Sequence, residues 1–477
     1  QADVHHPDEI STLFDGAIVY AKGGRMLRML QQFVGDEAFR KGLQAYFKKH
    51  AYKNTEADNL WDAIGEAAGK DIASLMHAWI SQSGFPVLHV SQDGETVTLS
   101  QEQFFVGPHK PSDKLWPIPL GSTCSEMPVM LTEREVKVTR HHTTPLRFNA
   151  GGGAHFITHY SQPVLQKILD NLNNIPEIDR LQLLHEQTLL AQAGIISTAD
   201  IIPLLEYYKN DQAEAVWDII AVAINELKKF VEDNDAAEQK LRGLVGDITR
   251  PQFERLGWLS KKDEPEADTK LRATITGLML YSEETKIIDQ ALELFSSDLE
   301  SIDAEIRPLI ISAKVRYGND ESIIETLLDA YKNTHSAELQ QDIAGGITTC
   351  KDEAHITHLL SIINDNSVVR TQDFLTWFVQ LLRNKYARDL SWQWIRDNWK
   401  WVQETFTGDS YFDAIPRYIA GALRTNRHLD EYYAFFEPLK KLPVLKRNII
   451  IGALEIEGRI ELLKRDTQKV VNALIKY

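Results

Sequence analysis

Tyr20 stands in the stretch Gly16 to Leu30, reading GAIVYAKGGRMLRML, just ahead of Lys22 and two glycines and at the head of an apolar-striped helix. A phenol is a directed hydrogen-bond donor at neutral pH and suits a developing oxyanion. One such donor in a built site is worth about 3 kcal/mol, or roughly 100- to 1000-fold in rate. Other candidates are weaker. His185 and Glu186 open HEQTLL, but Leu189 occupies the position where a zinc helix needs its second histidine, so the pair reads as polar residues on a helix. His155 and His159 fall in a strand-like segment, where a four-residue spacing separates side chains by about 13 Å, too far for one ion. The adjacent histidines at His5 and His141 carry no spacing signal. Gly151 to Gly153 lacks the lysine and Ser/Thr of a phosphate loop and precedes a strand, so it reads as a turn.

Three kinds of element must position these residues. From Asp8 to Ser83 apolar residues keep helical spacing: Met26, Leu27, Leu30, Phe33 and Val34 form one stripe, Phe39, Leu43, Tyr46 and Phe47 the next. Gly35 and Asp36 read as a terminal glycine followed by an N-cap, and Thr55 with Asp58 as a capping box. A further helix carries Leu75, Met76, Trp79 and Ile80. From SGFPVLHV the period becomes alternating, Asp93-Gly94 reads as a two-residue hairpin turn, and LWPIPLG, MPVMLTEREVKV, PLRFN and HFITHY are strand candidates up to about Tyr160. A β-sandwich is the expectation there. After Ser161 the pattern is helical to the end. Turns near Ser282, Gly318, Lys351, Asn384 and Thr425 recur 33 to 41 residues apart, which predicts an α-solenoid of stacked helix pairs with a concave, binding inner surface. The expected class is multidomain α+β, with segments 1–84, 85–160 and 161–477.

A formal charge of -16 repels phosphate backbones and anionic lipid, and no basic run offsets it, so neither nucleic acid nor a membrane surface is expected as a partner. No apolar run approaches the ~20 residues of a spanning helix. Two cysteines, Cys124 and Cys350, suit neither a disulfide framework nor a cysteine zinc site, and point to a reducing, cytoplasmic setting. The opening QADVHH, without methionine and with Pro7 close behind, reads as the middle of a longer polypeptide.

Taken together, these segments resemble the zinc aminopeptidases of the aminopeptidase N type in their bacterial form. FDGAIVYAKGGRMLRML is similar to the family segment in which a tyrosine two residues before Lys-Gly supplies the catalytic phenol, here Tyr20. WISQSGFPVLHV resembles the passage from catalytic domain to sandwich, LWPIPL a strand of that sandwich, DRLQLLHEQTLLAQAG the opening of the helical C-terminal domain and RTQDFLTWF a later helix. The resemblance implies that 1–84 is the helical end of a thermolysin-like catalytic domain and that the parent removes N-terminal residues from peptides with zinc. It further implies that Tyr20 hydrogen-bonds the tetrahedral oxyanion while the solenoid walls a substrate chamber. The family's zinc ligands, third-ligand glutamate and Gly-Ala-Met-Glu-Asn loop all precede the tyrosine and are not in this sequence. The chain is therefore expected to be inactive alone, with the missing N-terminal half and peptide substrates as its partners and with self-association through the helical remnant. A second reading, from another class, is a non-catalytic solenoid scaffold or peptide-binding protein in which Tyr20 is dispensable.

Overall fold

A computed structural model describes residues 16–142, 144–409 and 411–477. The start of the expected first helical unit, Phe14 and His5 lie outside the described residues. The chain divides into two compact units, one ending at Ile196 and the other spanning Ser197–Tyr477.

In the first unit a π-helical turn, Ala17–Lys22, runs directly into α1 (Gly23–Val34). This helix buries Met26, Met29 and Leu30 and leaves Leu27 substantially exposed. Gly35, at φ +85°, ends α1 and also serves as the N-cap of α2 (Asp36–His50), so Asp36 is the first helical residue rather than the cap. Gly42 lets α2 approach α3 (Ala57–Ala68) closely, since a Cβ there would lie 2.7 Å from Ile64 Cα. The capping box of α3 is Glu56 with Asn59, not Thr55 with Asp58: Glu56 N–H donates to Asn59 Oδ1 at 2.9 Å. Thr55 Oγ1 is instead 2.6 Å from the Tyr46 hydroxyl, which leaves the cap position to Glu56. α4 (Ile72–Ile80) is capped by Asp71 and buries Ile72, Leu75, Met76 and Trp79, while Ile80 points outward.

β1 (Pro86–Asp93) and β2 (Thr96–Gln103) form an antiparallel hairpin in which Asp93 pairs with Thr96, so the two-residue loop is Gly94-Glu95, one residue later than the sequence suggests. Gly94 has φ +56°, the left-handed value that the first loop position of a type II′ turn needs. β3 (Ile118–Pro119) pairs with β4 (Met130–Leu131) as a separate two-stranded sheet. β5 (Glu135–Thr139) adds to β2 antiparallel, and β6 (Ile157–Tyr160) adds to β1 parallel, giving a mixed sheet in the order β5-β2-β1-β6. PLRFN forms no strand, and His155 lies ahead of β6 rather than in it. Buried Gln101 in β2 braces the 104–117 connection, with its Nε2 donating to the Trp116 and Glu133 carbonyls at 3.0 Å and its Oε1 accepting from Trp116 N–H at 2.9 Å. Trp79 Nε1 donates to the Pro117 carbonyl at 3.0 Å, which ties α4 to the same connection. α5 (Gln162–Leu169) and α6 (Glu177–Ala193) complete the unit.

The second unit is helical throughout its described residues. The sequence turns fall between consecutive helices: Ser282 to Glu284 separates Glu266–Tyr281 from Thr285–Glu293, and Lys351 and Asp352 precede Glu353–Ile362. A continuous apolar core runs from Met279 to Ile456, rich in Trp377, Trp392, Phe374 and Phe436. The closing helix Pro443–Lys476 returns to the start of the unit, where buried Asp466 accepts from Thr198 N–H at 3.1 Å and Thr198 Oγ1 at 2.9 Å. No described helix is long and apolar enough to cross a membrane.

Candidate functional site

Tyr20 sits on the π-helical turn, where Gly23 N–H reaches back five residues to the Ile18 carbonyl. Such wide turns are rare and are frequent at functional sites. The side chain is 71% exposed, and its hydroxyl has no hydrogen-bond partner among the described residues. A donor left free on a rigid element is what an incoming substrate oxygen requires.

Rigidity comes from the next two turns of α1. Arg25 donates through Nη1 to the Gly152 carbonyl, and Gln32 Nε2 donates to the Ala150 carbonyl at 2.7 Å. Both acceptors belong to the glycine turn, which is held in shape by Asn149: its Nδ2 donates to the Ala154 carbonyl at 3.0 Å and its Oδ1 accepts from Ala154 N–H at 2.7 Å. Asp179 of α6 then grips the turn from the other side, accepting from Gly151 N–H at 2.6 Å and pairing with Arg147. Glycine is required because the neighbours come so near. A Cβ on Gly153 would lie 1.6 Å from Gln32 Oε1, and one on Gly152, at φ +63°, 3.0 Å from Gln182 Oε1.

Beneath this clasp lies Glu186. The sequence reading of His185 and Glu186 as a polar pair on a helix places both on α6, but Glu186 is buried there, at 6% exposure. Its carboxyl accepts from Thr158 N–H of β6 at 3.1 Å and from Gln182 Nε2 at 2.7 Å. Burial pushes its pKa up to about 8, against the opposing pull of those bonds and of the Arg25 charge. Around it the field is positive. Burial depresses Lys22, and it depresses Arg25 with partial compensation from Glu186. Burial, then the charges of Lys22 and Arg25, pushes His155 down to about 4, and burial with Arg25 lowers His185. Both imidazoles are thus biased to the neutral form beside two cations, and an oxyanion near Tyr20 would meet net positive charge.

His155 and His159 do not meet. His159 instead faces His89, its partner in the β1–β6 register, with the two Nδ1 atoms 2.9 Å apart, and His89 Nε2 is 2.8 Å from Glu102 Oε1. Among the described residues no three His, Cys, Asp or Glu side chains group so as to hold a metal. Sequence reasoning singled out Tyr20 and did not anticipate Arg25 and Gln32, which tie its helix to the glycine turn, or Asn149 and Asp179, which shape that turn. The available signal was three successive glycines, which mark a close approach as well as a turn.

Comparison with known proteins identifies the family. The family described as ERAP1-like C-terminal domain matches residues 146–456, and that described as Peptidase family M1 domain matches residues 1–79, the stretch that contains Tyr20. The chain is 34% identical over its full length to an Aminopeptidase N of Lactococcus lactis subsp. lactis, and 36% identical over 98% of its length to one of Lactococcus lactis subsp. cremoris. It is 28% identical over 91% of its length to a Glutamyl aminopeptidase of Bitis rhinoceros. It spans 57%, 56% and 47% of those three proteins. With well over half of its residues in one match, the chain belongs to the ERAP1-like C-terminal domain family and carries, ahead of that domain, a segment of the peptidase M1 family.

Proposed function

We propose that the chain is the C-terminal portion of a zinc-dependent aminopeptidase that removes N-terminal amino acids from peptides, and that Tyr20 is its oxyanion donor. The observation that carries this reading is an exposed, unpaired phenol on a clasped π-turn inside a peptidase M1 match. When the first peptide bond is attacked, its carbonyl oxygen gains charge, and the Tyr20 O–H shortens its hydrogen bond to that oxygen as the charge grows. Lys22 and Arg25 add a favourable field. Zinc, when bound, would polarise the attacking water and the carbonyl. The described residues do not offer it a ligand set, so zinc is proposed for the parent polypeptide.

The division into a catalytic-domain end (1–84), a sandwich (85–160) and a solenoid (161–477) is part of the proposal. Its first boundary is supported by the end of the peptidase M1 match at 79, and its second by the change from strand β6, ending at Tyr160, to helices. A HEAT-like stacking of those pairs is supported by their recurring turns, and a role as chamber wall follows from the family resemblance. A cytoplasmic setting rests on the two unpaired cysteines, both buried. Exposed Ile18, Val19 and Phe47 on the first helices would meet the rest of the parent or a second copy.

The test is Tyr20→Phe in the zinc-loaded parent, read by hydrolysis of an amino-acid anilide. Phenylalanine keeps the ring and removes the donor, so kcat should fall about 100-fold with KM nearly unchanged. An unchanged kcat would make Tyr20 a surface residue and favour the scaffold reading.

A further inference from the structure

The second unit holds a cavity of about 470 Å³, the size of a small-molecule site. Six cationic side chains line it, Lys228, Arg242, Arg316, Arg383, Lys385 and Arg388, against two carboxylates, Glu232 and Glu238. This is a positive pocket in a chain of net charge -16.

Ion pairing absorbs half of those cations. Glu238 takes Arg242 at 2.8 Å and Lys385 at 2.9 Å, Glu232 takes Arg388, with Arg424 at 2.6 Å, and Arg242 has a second partner in Glu283. Three remain. Lys228 donates to Asn225 Oδ1 at 2.9 Å and lies 3.9 Å from the Tyr281 ring centroid, with no carboxylate in pairing distance among the described residues. Arg316 comes no nearer than 3.9 Å to a carboxylate, Glu283, and Arg383 makes no ion pair among the described residues. The simplest structural role for cations here is to answer the carbonyls at the ends of helices Ala337–Ile347 and Phe374–Arg383. Asn384 already does much of that, donating to the Thr348 and Cys350 carbonyls at 3.0 and 2.7 Å. Burial first, then the charges of Arg242 and Arg316, with Glu238 opposing, pushes Lys228 down to about 8. Tyr281 also lines the cavity, through its ring side, and its hydroxyl is buried with no hydrogen-bond partner among the described residues. Three cations gathered on one cavity with at most one distant carboxylate partner among them repel one another, a cost that an oxyanion would remove.

We propose that this cavity binds a compact multivalent oxyanion of the phosphate-ester or polyphosphate class, held by Lys228, Arg316 and Arg383. A single carboxylate would neutralise one of three charges; a ligand with two or more negative charges on neighbouring groups matches the set. The site shares no residue with the Tyr20 clasp, so it stands or falls apart from the peptidase reading.

The experiment is calorimetric titration of the 477-residue chain with inorganic triphosphate at low ionic strength. We expect saturable one-to-one binding that weakens with salt and tightens between pH 9 and pH 7 as Lys228 takes up its proton. Arg383→Ala, at an exposed position, and Arg316→Ala should each weaken it about tenfold, and Lys400→Ala, at a distant exposed pair, should not. A parallel titration with an N-acetylated hexapeptide, with free or amidated C-terminus, separates sources of the anion. Binding of the free-carboxylate peptide without triphosphate binding would overturn the proposal. So would the absence of saturable triphosphate binding, or variants that lower the thermal midpoint yet bind triphosphate unchanged.

Discussion

Gly153→Ala, taken alone and with Gln32→Ala, tests whether the glycine turn is shaped by the approach of α1. The added Cβ would stand 1.6 Å from Gln32 Oε1 and 2.6 Å from its Cδ, far inside any real contact. Gly153 does not occupy the left-handed region, so alanine itself fits the backbone. The obstacle is the end of a flexible, exposed side chain, which can swing away only by giving up its 2.7 Å bond to the Ala150 carbonyl. That bond is worth about 0.5–1.5 kcal/mol. Replacing glycine by alanine at a compatible site returns about 0.4–1 kcal/mol through the unfolded chain. The single variant should therefore lose only about 0–1 kcal/mol. Gln32→Ala alone loses the bond, about 1 kcal/mol. In the Gln32→Ala background the Oε1 and Cδ overlaps are gone and only a 3.3 Å contact with the Cβ of residue 32 is left, which a shift of a few tenths of an ångström relieves, so Gly153→Ala should become neutral or stabilising by up to about 1 kcal/mol. The two substitutions thus couple by about 1 kcal/mol, measurable by urea unfolding of the four chains in a double-mutant cycle. Additive effects, with Gly153→Ala equally costly in both backgrounds, would show that something other than Gln32 demands the glycine and would refute the clasp.

Glu186→Gln should flatten the pH dependence of stability. A carboxyl raised to about 8 in the folded state stabilises most below its unfolded value, and that contribution is lost as pH rises through 8, at up to about 1.4 kcal/mol per pH unit. Thermal melts should show the variant gaining on the parent sequence at pH 9 relative to pH 5. Asp466→Asn tests the opposite sign: burial raises its carboxyl, but bonds from Arg465, Lys469 and Thr198 more than offset this and hold it at about 2. Its contribution of about 2 kcal/mol, present at neutral pH and lost as pH falls through 2, should vanish in the variant's denaturant midpoint at pH 7. Gly42→Ala places a Cβ 2.7 Å from Ile64 Cα, where backbone rather than a side-chain tip must yield. The overpacking, about 1–3 kcal/mol, should outweigh the helix-propensity gain of about 1 kcal/mol in an unfolding titration.

Periodicity made most of the helices legible, because a buried stripe such as Met26, Met29 and Leu30 repeats with the turn of the helix whatever surrounds it. Caps were misplaced by a residue or two, as at Glu56 and Gly94, since several polar types satisfy the same end groups and a hairpin register can slip by one without changing composition. Short strands were overcounted for a related reason. PLRFN alternates as a strand should, yet Phe148 N–H is bonded to Tyr160 Oη at 2.8 Å and Asn149, at φ +53°, turns the chain away from any ladder. Alternation records which side chains are buried, and a loop pinned by a tyrosine hydroxyl buries the same ones.

The site was half legible, for a reason that follows from its construction. Tyr20 stands two residues before Lys22-Gly23, so local order is enough to single it out as a candidate. The groups that fix its helix come from residues about 120 to 160 positions away, Ala150 and Gly152 on the turn and Asp179 and Glu186 on α6, and no local pattern links them. Three of the contacts are made by backbone carbonyl or N–H groups, which every residue possesses, so side-chain identity at the acceptor carries no information. What the sequence does record is the absence of side chains where backbones must come close, at Gly152 and Gly153. Glu186 shows the converse. A carboxyl adjacent to a histidine suggests a solvated pair, yet α6 turns the two faces apart, and only the fold shows that one of them faces Thr158 N–H in the core. The charge that Glu186 keeps or loses, and with it the field on Arg25 beside Tyr20, is therefore a property of the tertiary structure, and its titration is the most direct solution readout of that packing.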